Sequence, residues 1–315
     1  MTVVDIALGL AVVVTAAAAL LPRRRMTMVM GFLVMAVIMA LVWLRLGSVD
    51  VALAETALGT GLLSAILVLL ARGCHAAQQP QESPRDDGPT GRWLRRLARI
   101  GAPVFAWAVV TAVFMRVWLE VERLLPAWEE QLPAAMGPTG VDHEVTAVLL
   151  TFRSYDTLLE SAVLMLAGAA VLAVTGTEVG GRTAAPGTTM SWWTKVSAPV
   201  LVVVGLWLLF AGSSGSGGAF QAGAVLAGLL MLADASGARS LPDLRRAMPW
   251  GLAAGVLVFL AAAALGPMTG RGWLDWEPSW GFPVILTVEI ALTVGIAAAL
   301  HLLYLGVRAR REVVA

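Results

Sequence analysis

The sequence predicts an all-α integral membrane protein with about nine transmembrane helices, because apolar stretches of about 20 residues recur along it. Of its 315 residues, 58% are hydrophobic and only 14% are charged. A soluble domain usually carries about 25% charged residues. Together the long apolar stretches and the low charge exclude a soluble globular protein.

The hydropathy pattern divides the chain into nine predicted spans. They cover residues 3–21, 26–46, 49–71, 100–119, 155–175, 195–211, 219–236, 250–266 and 281–306. The first span has no basic stretch before it, so we expect a retained helix and not a cleaved signal peptide. The apolar piece Val145 to Phe152 is too short to cross a bilayer and is expected to form a re-entrant or interfacial segment.

Two linkers suggest three modules with three, two and four helices. Residues 72–98 are polar, and residues 176–191 are rich in Gly and Thr. The predicted modules are therefore residues 1–98, 99–189 and 190–315. No internal repeat is visible, so an inverted-repeat transporter is not predicted.

The distribution of Lys and Arg predicts the orientation. With nine spans, 17 of the 22 basic residues fall in loops on one side and five on the other. Basic loops face the cytoplasm. The N-terminus is therefore expected outside and the C-terminus inside, in the cell (inner, cytoplasmic) membrane.

Two carboxylates stand in or beside the third span, namely Asp50 and Glu55. A carboxylate at membrane depth costs roughly 2.5–3.5 kcal/mol on insertion scales, so it should face protein or water. Small and hydroxyl-bearing residues follow at every fourth position from Ala52 to Ser64, which favours close helix packing and interhelical hydrogen bonds.

Further charges lie at the fifth and ninth spans. Arg153, Asp156 and Glu160 share one helical face at i+3 and i+4 spacing. Glu289 lies within the last span, and Arg116 lies near the outer end of the fourth.

These charges have two interpretations, a hydrated proton or cation relay and a salt-bridge cluster that fixes helix packing. We favour ion transport or coupling for Glu55 and Glu160, because intramembrane carboxylates are functional by default. Packing is favoured for Arg153 and Asp156. Both interpretations stay open for Glu289.

Metal and cofactor signatures are not found in the sequence. Cys74 is the single cysteine, and the three histidines, His75, His143 and His301, are too scattered for a metal motif. The glycine-rich loop 212–223 has no Walker lysine, so it does not predict a phosphate site. No haem, iron–sulfur or flavin signature is present, so no cofactor is expected, and no feature indicates nucleic-acid binding.

Three motifs resemble subunits of one family of complexes. DVALAETALG (50–59) resembles the D-type subunit of membrane-bound hydrogenases and the C-terminal part of the A subunit of Mrp-type sodium/proton antiporters. FRSYDTLLE (152–160) resembles the hydrogenase E-type subunit, and SGGAFQAG (216–223) is similar to a connector of the antiporter B subunit.

The resemblance implies a fused, non-catalytic membrane subunit of a multisubunit Na⁺/H⁺ antiporter-type complex related to the membrane arm of complex I. Its partners would be other membrane subunits, the lipid bilayer, Na⁺ and H⁺. The resemblance assigns the ion pathway to Glu55 and Glu160, and less firmly to Asp50 and Asp156. Glu289 belongs to none of these motifs and is a candidate by its position alone, with Arg116 and Arg153 as supporting charges.

Two other functions remain open. The chain could belong to the membrane arm of a redox-driven, ion-pumping complex of the hydrogenase type. It could instead be a structural scaffold of another energy-coupled transport system, in which the charges only hold helices together. Co-purifying partners would distinguish them.

The predicted orientation is testable through Cys74, which lies in a predicted cytoplasmic loop. A membrane-impermeant maleimide should label it in inside-out vesicles and not in intact cells, because the reagent cannot cross the bilayer. Labelling in intact cells would reverse the orientation.

Overall fold

The computed structural model is all-helical. It describes residues 2–22, 24–73, 101, 105, 108–121, 128–175, 188–237 and 241–314, and within these ranges it contains no strand. Cys74, nearly all of the linker 72–98 and the first part of the predicted span 100–119 lie outside the described residues, as does most of the linker 176–191.

Twelve helical elements carry the fold of these residues. They are α1 (Val3–Leu20), α2 (Arg25–Arg45), α3 (Val49–Glu55), α4 (Ser64–Gly73), α5 (residues 108–121), α6 (Trp128–Met136), α7 (Glu144–Ala147), α8 (Ser154–Thr175), α9 (Thr188–Ala211), α10 (Ala219–Ala235), α11 (Leu241–Met268) and α12 (Pro278–Val314). A π-helical segment, Thr56–Leu63, joins α3 to α4, and a second one, Val148–Phe152, follows α7.

Seven helices of the described chain are long and apolar enough to cross a membrane. They are Val3–Leu20, Arg25–Arg45, Val49–Ala71, Ser154–Thr175, Thr188–Ala211, Arg246–Met268 and Pro278–Ala309. The multi-pass, all-helical prediction is thus confirmed, whereas the count of nine is not. The predicted span 219–236 is a shorter apolar helix of 17 residues, and only part of the predicted span 100–119 is described.

The chain separates into two compact units. One comprises residues 1–76 and 135–315, and the other comprises residues 77–134. Within the larger unit, α12 is the central helix and packs against α8, α10 and α11, while α1 packs on α2. Phe259, Ile285 and Val288 are almost wholly buried in this core. In the smaller unit, Arg116 pairs with Glu120 at 3.3 Å on the exposed face of α5.

The third predicted span contains a π-helical turn directly after Glu55. A Cβ atom at Gly59 would collide with the Glu55 carboxylate and would lie 3.3 Å from the Ala36 Cβ atom of α2. Glycine at position 59 therefore leaves room for the Glu55 side chain against its own helix. Such π-turns occur frequently at functional sites.

The hydroxyl groups of this span bond to their own helix, contrary to the expected interhelical hydrogen bonds. Thr56 donates to the Ala52 carbonyl at 2.8 Å, and Ser64 donates to the Gly59 carbonyl at 2.8 Å. A mid-helix Ser or Thr hydroxyl readily reaches the carbonyl one turn earlier. Ala52 and Ser64 are buried, so the stripe serves close packing.

Helices α10 and α12 pack closely at Gly223. A Cβ atom at this position would approach Ile296 to 2.8 Å and the Thr293 carbonyl oxygen to 3.1 Å. Gly228, on the same helix, is exposed, and a Cβ atom there would meet nothing within 4 Å. The two glycines form a matched pair, one at a tight contact and one in open space.

We predict that Gly223→Ala destabilises the protein and that Gly228→Ala does not. Overpacking a filled interface costs about 1–3 kcal/mol, whereas alanine in an open helical position is favoured over glycine by up to about 1 kcal/mol. Thermal unfolding of the purified chain in detergent should show a lower midpoint for the first variant alone. Equal midpoints would contradict the packing at Gly223.

Candidate functional site

A cavity of about 280 Å³ brings together three of the carboxylates predicted from the sequence. Its walls come from α3, the segment 145–150, α8, α12 and the start of α10. The side chains that give it polar character are those of Asp50, Thr146, Thr157, Glu160, Ser161, Gln221 and Glu289. We call it the carboxylate cavity.

Glu289 is the most deeply buried carboxylate of this cavity. The residue is 3% exposed, and its Oε2 atom is buried without a hydrogen-bond partner among the described residues. The backbone N–H of Ala219 is directed at the carboxylate. A Cβ atom at Gly218 would lie 3.3 Å from Oε1.

The start of α10 lies beside Glu289 and partly offsets the cost of burying a carboxylate there. Helix α10 begins at Ala219 and has no side-chain cap. Its first N–H groups lack partners within the helix, and the helix dipole is positive at this end. Glu289 therefore lies where it can cap α10 with one oxygen, while its Oε2 atom has no partner among the described residues.

Asp50 is fastened to the turn between α9 and α10, residues Gly212–Gly218, which we call the connector. The Ser216 hydroxyl donates to Oδ2 at 3.1 Å, and the Gly217 N–H donates to Oδ1 at 3.1 Å. The Gln221 amide also donates to the Asp50 backbone carbonyl at 3.4 Å. His143 Nε2 lies 3.3 Å from Oδ2. Both oxygens of Asp50 are thus occupied.

The segment before α7 holds the connector from its other side. The Asp142 and His143 N–H groups both donate to the Ser213 carbonyl, at 3.0 and 3.2 Å. The Thr146 hydroxyl donates to the Gly212 carbonyl. The connector is therefore held between α3 and the residues that lead into α7.

These contacts divide the chemistry of the two carboxylates. Asp50 accepts from several donors, which leave it without a vacant position. Glu289 lines the cavity and has one oxygen without a partner among the described residues. Asp50 is suited to holding the connector, and Glu289 is suited to binding a proton or a small cation.

The remaining predicted residues lie outside this arrangement or at its edge. Glu160 lines the cavity, and its side chain is exposed at the surface of this chain. Asp156 pairs with Arg153, and both side chains are partly exposed. Glu55 does not line the cavity. Arg116 belongs to the other unit.

No group of three or more His, Cys, Asp or Glu residues in the described parts of the chain could hold a metal ion. A larger cavity of about 580 Å³ lies elsewhere, beside Trp273 and Trp276. None of the predicted site residues lines it, and its two charged residues, Arg271 and Asp275, pair with each other at 3.4 Å.

Sequence reasoning missed His143 and Gln221. His143 stands in a polar loop, and nothing near it in the sequence indicates a contact with a helix 93 residues away. The connector motif that contains Ser216 and Gln221 did carry a signal, since its glycines indicated close backbone approach.

We predict that Gly218→Ala destabilises the start of α10 and that Gly215→Ala has little effect. Gly218 has φ 113° and ψ −177°, a region open almost only to glycine, and strain there costs about 1–3 kcal/mol. Gly215 has ordinary backbone angles, and a Cβ atom there would make one contact at 3.9 Å. The midpoint of thermal unfolding should fall for Gly218→Ala only. An unchanged midpoint would contradict the backbone angles of Gly218.

Two family matches cover the elements that carry Asp50 and Glu289. Residues 10–76 match the MbhD family, described as the D subunit of MBH. Residues 189–309 match the domain related to the MnhB subunit of Na⁺/H⁺ antiporter. His143, Thr146 and Glu160 lie between the two matched ranges. Among curated proteins, none matches the chain significantly.

A solved structure shares the fold. It is described as the structure of the Mrp complex from Dietzia sp. DQ12-45-1b, and the match has a TM-score of 0.73 at 20% sequence identity. The match covers 98% of this chain but 35% of the solved chain, so the protein spans about a third of the length of that relative. The protein thus contains, in a single polypeptide, a segment that matches the MbhD family followed by a segment that matches the domain related to the MnhB subunit of Na⁺/H⁺ antiporter.

Proposed function

We propose that the protein is a non-catalytic membrane subunit of a multisubunit monovalent cation/proton antiporter-type complex, in which the carboxylate cavity takes part in ion translocation. The two family matches support the type of complex. The observation that carries the role of the cavity is Glu289, which lines it and whose buried Oε2 atom has no partner among the described residues.

An unsatisfied carboxylate in a membrane helix is costly and tends to be retained for function. Its negative charge at the N-terminus of α10 attracts a proton or a small cation. Hydroxyl and amide oxygens of Thr157, Ser161 and Gln221 line the same cavity and could complete an oxygen environment. Hard monovalent cations prefer oxygen ligands. A single carboxylate that binds either Na⁺ or H⁺, and not both together, provides a physical basis for exchange.

Glu160 is proposed to form the entrance to this site. It lines the cavity on α8 and is exposed, so it can meet an ion before Glu289 does. Glu55 remains a proposed member of the pathway for two reasons. It lies in the motif 50–59 that resembles the family, and a π-helical turn follows it directly. We assign Asp50 to positioning the connector and Asp156 to the ion pair with Arg153.

The modules and the orientation remain proposals of the same kind. The matches to residues 10–76 and 189–309 support the first and third modules, 1–98 and 190–315. The middle module, 99–189, rests on the motif at residues 152–160. An outside N-terminus and an inside C-terminus in the cell membrane rest on the distribution of basic residues.

A second candidate is a subunit of a redox-driven complex of the membrane-bound hydrogenase type, which the match to the MbhD family favours. The cavity would serve ion movement in either complex. Purification of the tagged chain with its partners distinguishes them: soluble redox subunits indicate the hydrogenase type, and membrane subunits alone indicate the antiporter. A scaffold without ion handling is distinguished by the following experiment.

We predict that Glu289→Gln and Glu160→Gln each abolish ion-driven proton flux while the complex still assembles. Glutamine keeps the shape and most hydrogen bonding of glutamate but cannot take up a proton or hold a negative charge. Glu55→Gln should have the same effect if Glu55 belongs to the pathway. The measurement is Na⁺-dependent proton flux in inverted vesicles, with subunit recovery on a native gel.

Asp275→Asn is the matched control. This carboxylate is exposed, lies outside the carboxylate cavity and pairs with Arg271, and a surface pair of this kind contributes about 0–1 kcal/mol. Its variant should retain wild-type flux. Wild-type flux in both Glu289→Gln and Glu160→Gln would reject the ion pathway and leave the scaffold.

A further inference from the structure

We propose that His143 is a positioning residue that ties the connector to Asp50 only when its imidazole ring carries two protons. Its two ring nitrogens point at different partners. Nε2 lies 3.3 Å from Asp50 Oδ2, and Nδ1 lies 3.4 Å from the Thr146 hydroxyl oxygen. The His143 ring therefore links α3 to the start of α7, and both of its partners bond to the connector.

Counting hydrogens fixes the protonation of the ring in this arrangement. The Thr146 hydroxyl has one hydrogen, and that hydrogen is donated to the Gly212 carbonyl. Its oxygen can then only accept from His143 Nδ1. The Asp50 carboxylate accepts from Ser216 and Gly217, and Nε2 lies 3.3 Å from its Oδ2 atom. With Nδ1 directed at Thr146, Nε2 can form an ion pair with this carboxylate only if it also carries a proton, which is the imidazolium form.

Loss of one proton breaks one of these two contacts. If Nε2 loses it, the nitrogen lone pair faces the Asp50 carboxylate and repels it. If Nδ1 loses it, two acceptors face each other at Thr146. In either case the connector is held less firmly. The complete network is thus present while the ring carries both protons, and it is lost when a rise in pH removes one of them.

Few other charged groups face His143. On α3, the charged residue beside it is Asp50. The connector, Gly212 to Gly218, consists of glycines and serines and carries no charged side chain. The neighbouring Asp142 and Glu144 are exposed. Beyond the connector lies Glu289. Asp50 and His143 are 14% and 16% exposed at their side chains, so the pair is partly shielded from water.

The connector ends at the backbone that faces Glu289. Gly218 and the Ala219 N–H lie against its carboxylate, and Gly217 is bonded to Asp50. A loosened connector therefore alters the environment of the open carboxylate. The proton on His143 is linked to the geometry at Glu289, 146 residues further along the chain. This link is a property of the fold, and it stands whether or not the cavity transports ions.

Amide hydrogen exchange of the connector tests the proposal. The full-length purified chain is compared with His143→Gln and His143→Leu from about pH 5 to about pH 8, with each rate corrected for intrinsic exchange. In the unsubstituted protein, protection of the peptide that contains Gly217 should fall by about tenfold as the pH rises, the factor of one charge-assisted hydrogen bond.

The two variants separate positioning from titration. The glutamine amide can donate to Asp50 at every pH, so His143→Gln should keep the connector protected and remove the pH dependence. His143→Leu has no donor and should leave it unprotected throughout. The proposal is overturned if the unsubstituted protein shows no pH dependence in this peptide, or if His143→Gln retains it. Should the leucine variant fail to fold, the comparison with His143→Gln alone decides.

Discussion

The carboxylate of Asp50 holds the site together, because it accepts from the connector at both oxygens. Those contacts join α3 to the turn between α9 and α10, two parts of the chain more than 160 residues apart. They set the position of Gly218 and thereby the start of α10. Without this start, Glu289 would lose the helix N-terminus that partly offsets the cost of its burial. The carboxylate that holds the connector is thus a precondition for the proposed role of the other.

The two carboxylates of the cavity differ in their hydrogen-bond partners. Asp50 accepts from donors at both of its oxygens. Glu289 has one oxygen without a partner among the described residues, which is why we propose it, and not Asp50, as the ion-binding group. This difference follows from hydrogen-bond geometry, since both residues are acids in apolar helices and look alike in the sequence.

Local chemistry explains what the sequence could predict. The seven candidate membrane helices are all among the nine spans that hydropathy predicted, and Asp50, Glu160 and Glu289 stand out because carboxylates are rare in such helices. Their meeting in one cavity depends on contacts between residues far apart in the chain, which no local pattern records. His143 was invisible for the same reason, because its polar neighbours suggested a solvated loop. Conversely, the spacing of Thr56 and Ser64 suggested interhelical hydrogen bonds, yet each hydroxyl reaches the nearer carbonyl of its own helix.

The exposed face of α8 supports a place within a larger assembly. Leu159, Val163 and Leu166 are each more than 60% exposed, and Glu160 lies on the same helix and is exposed as well. In a bilayer, lipid would cover the three apolar side chains at no cost. The carboxylate would cost roughly 2.5–3.5 kcal/mol against the same lipid. A neighbouring subunit or a water-filled passage at this face removes that cost. Because Glu160 lines the carboxylate cavity, such a passage would continue the ion pathway that we propose at Glu289.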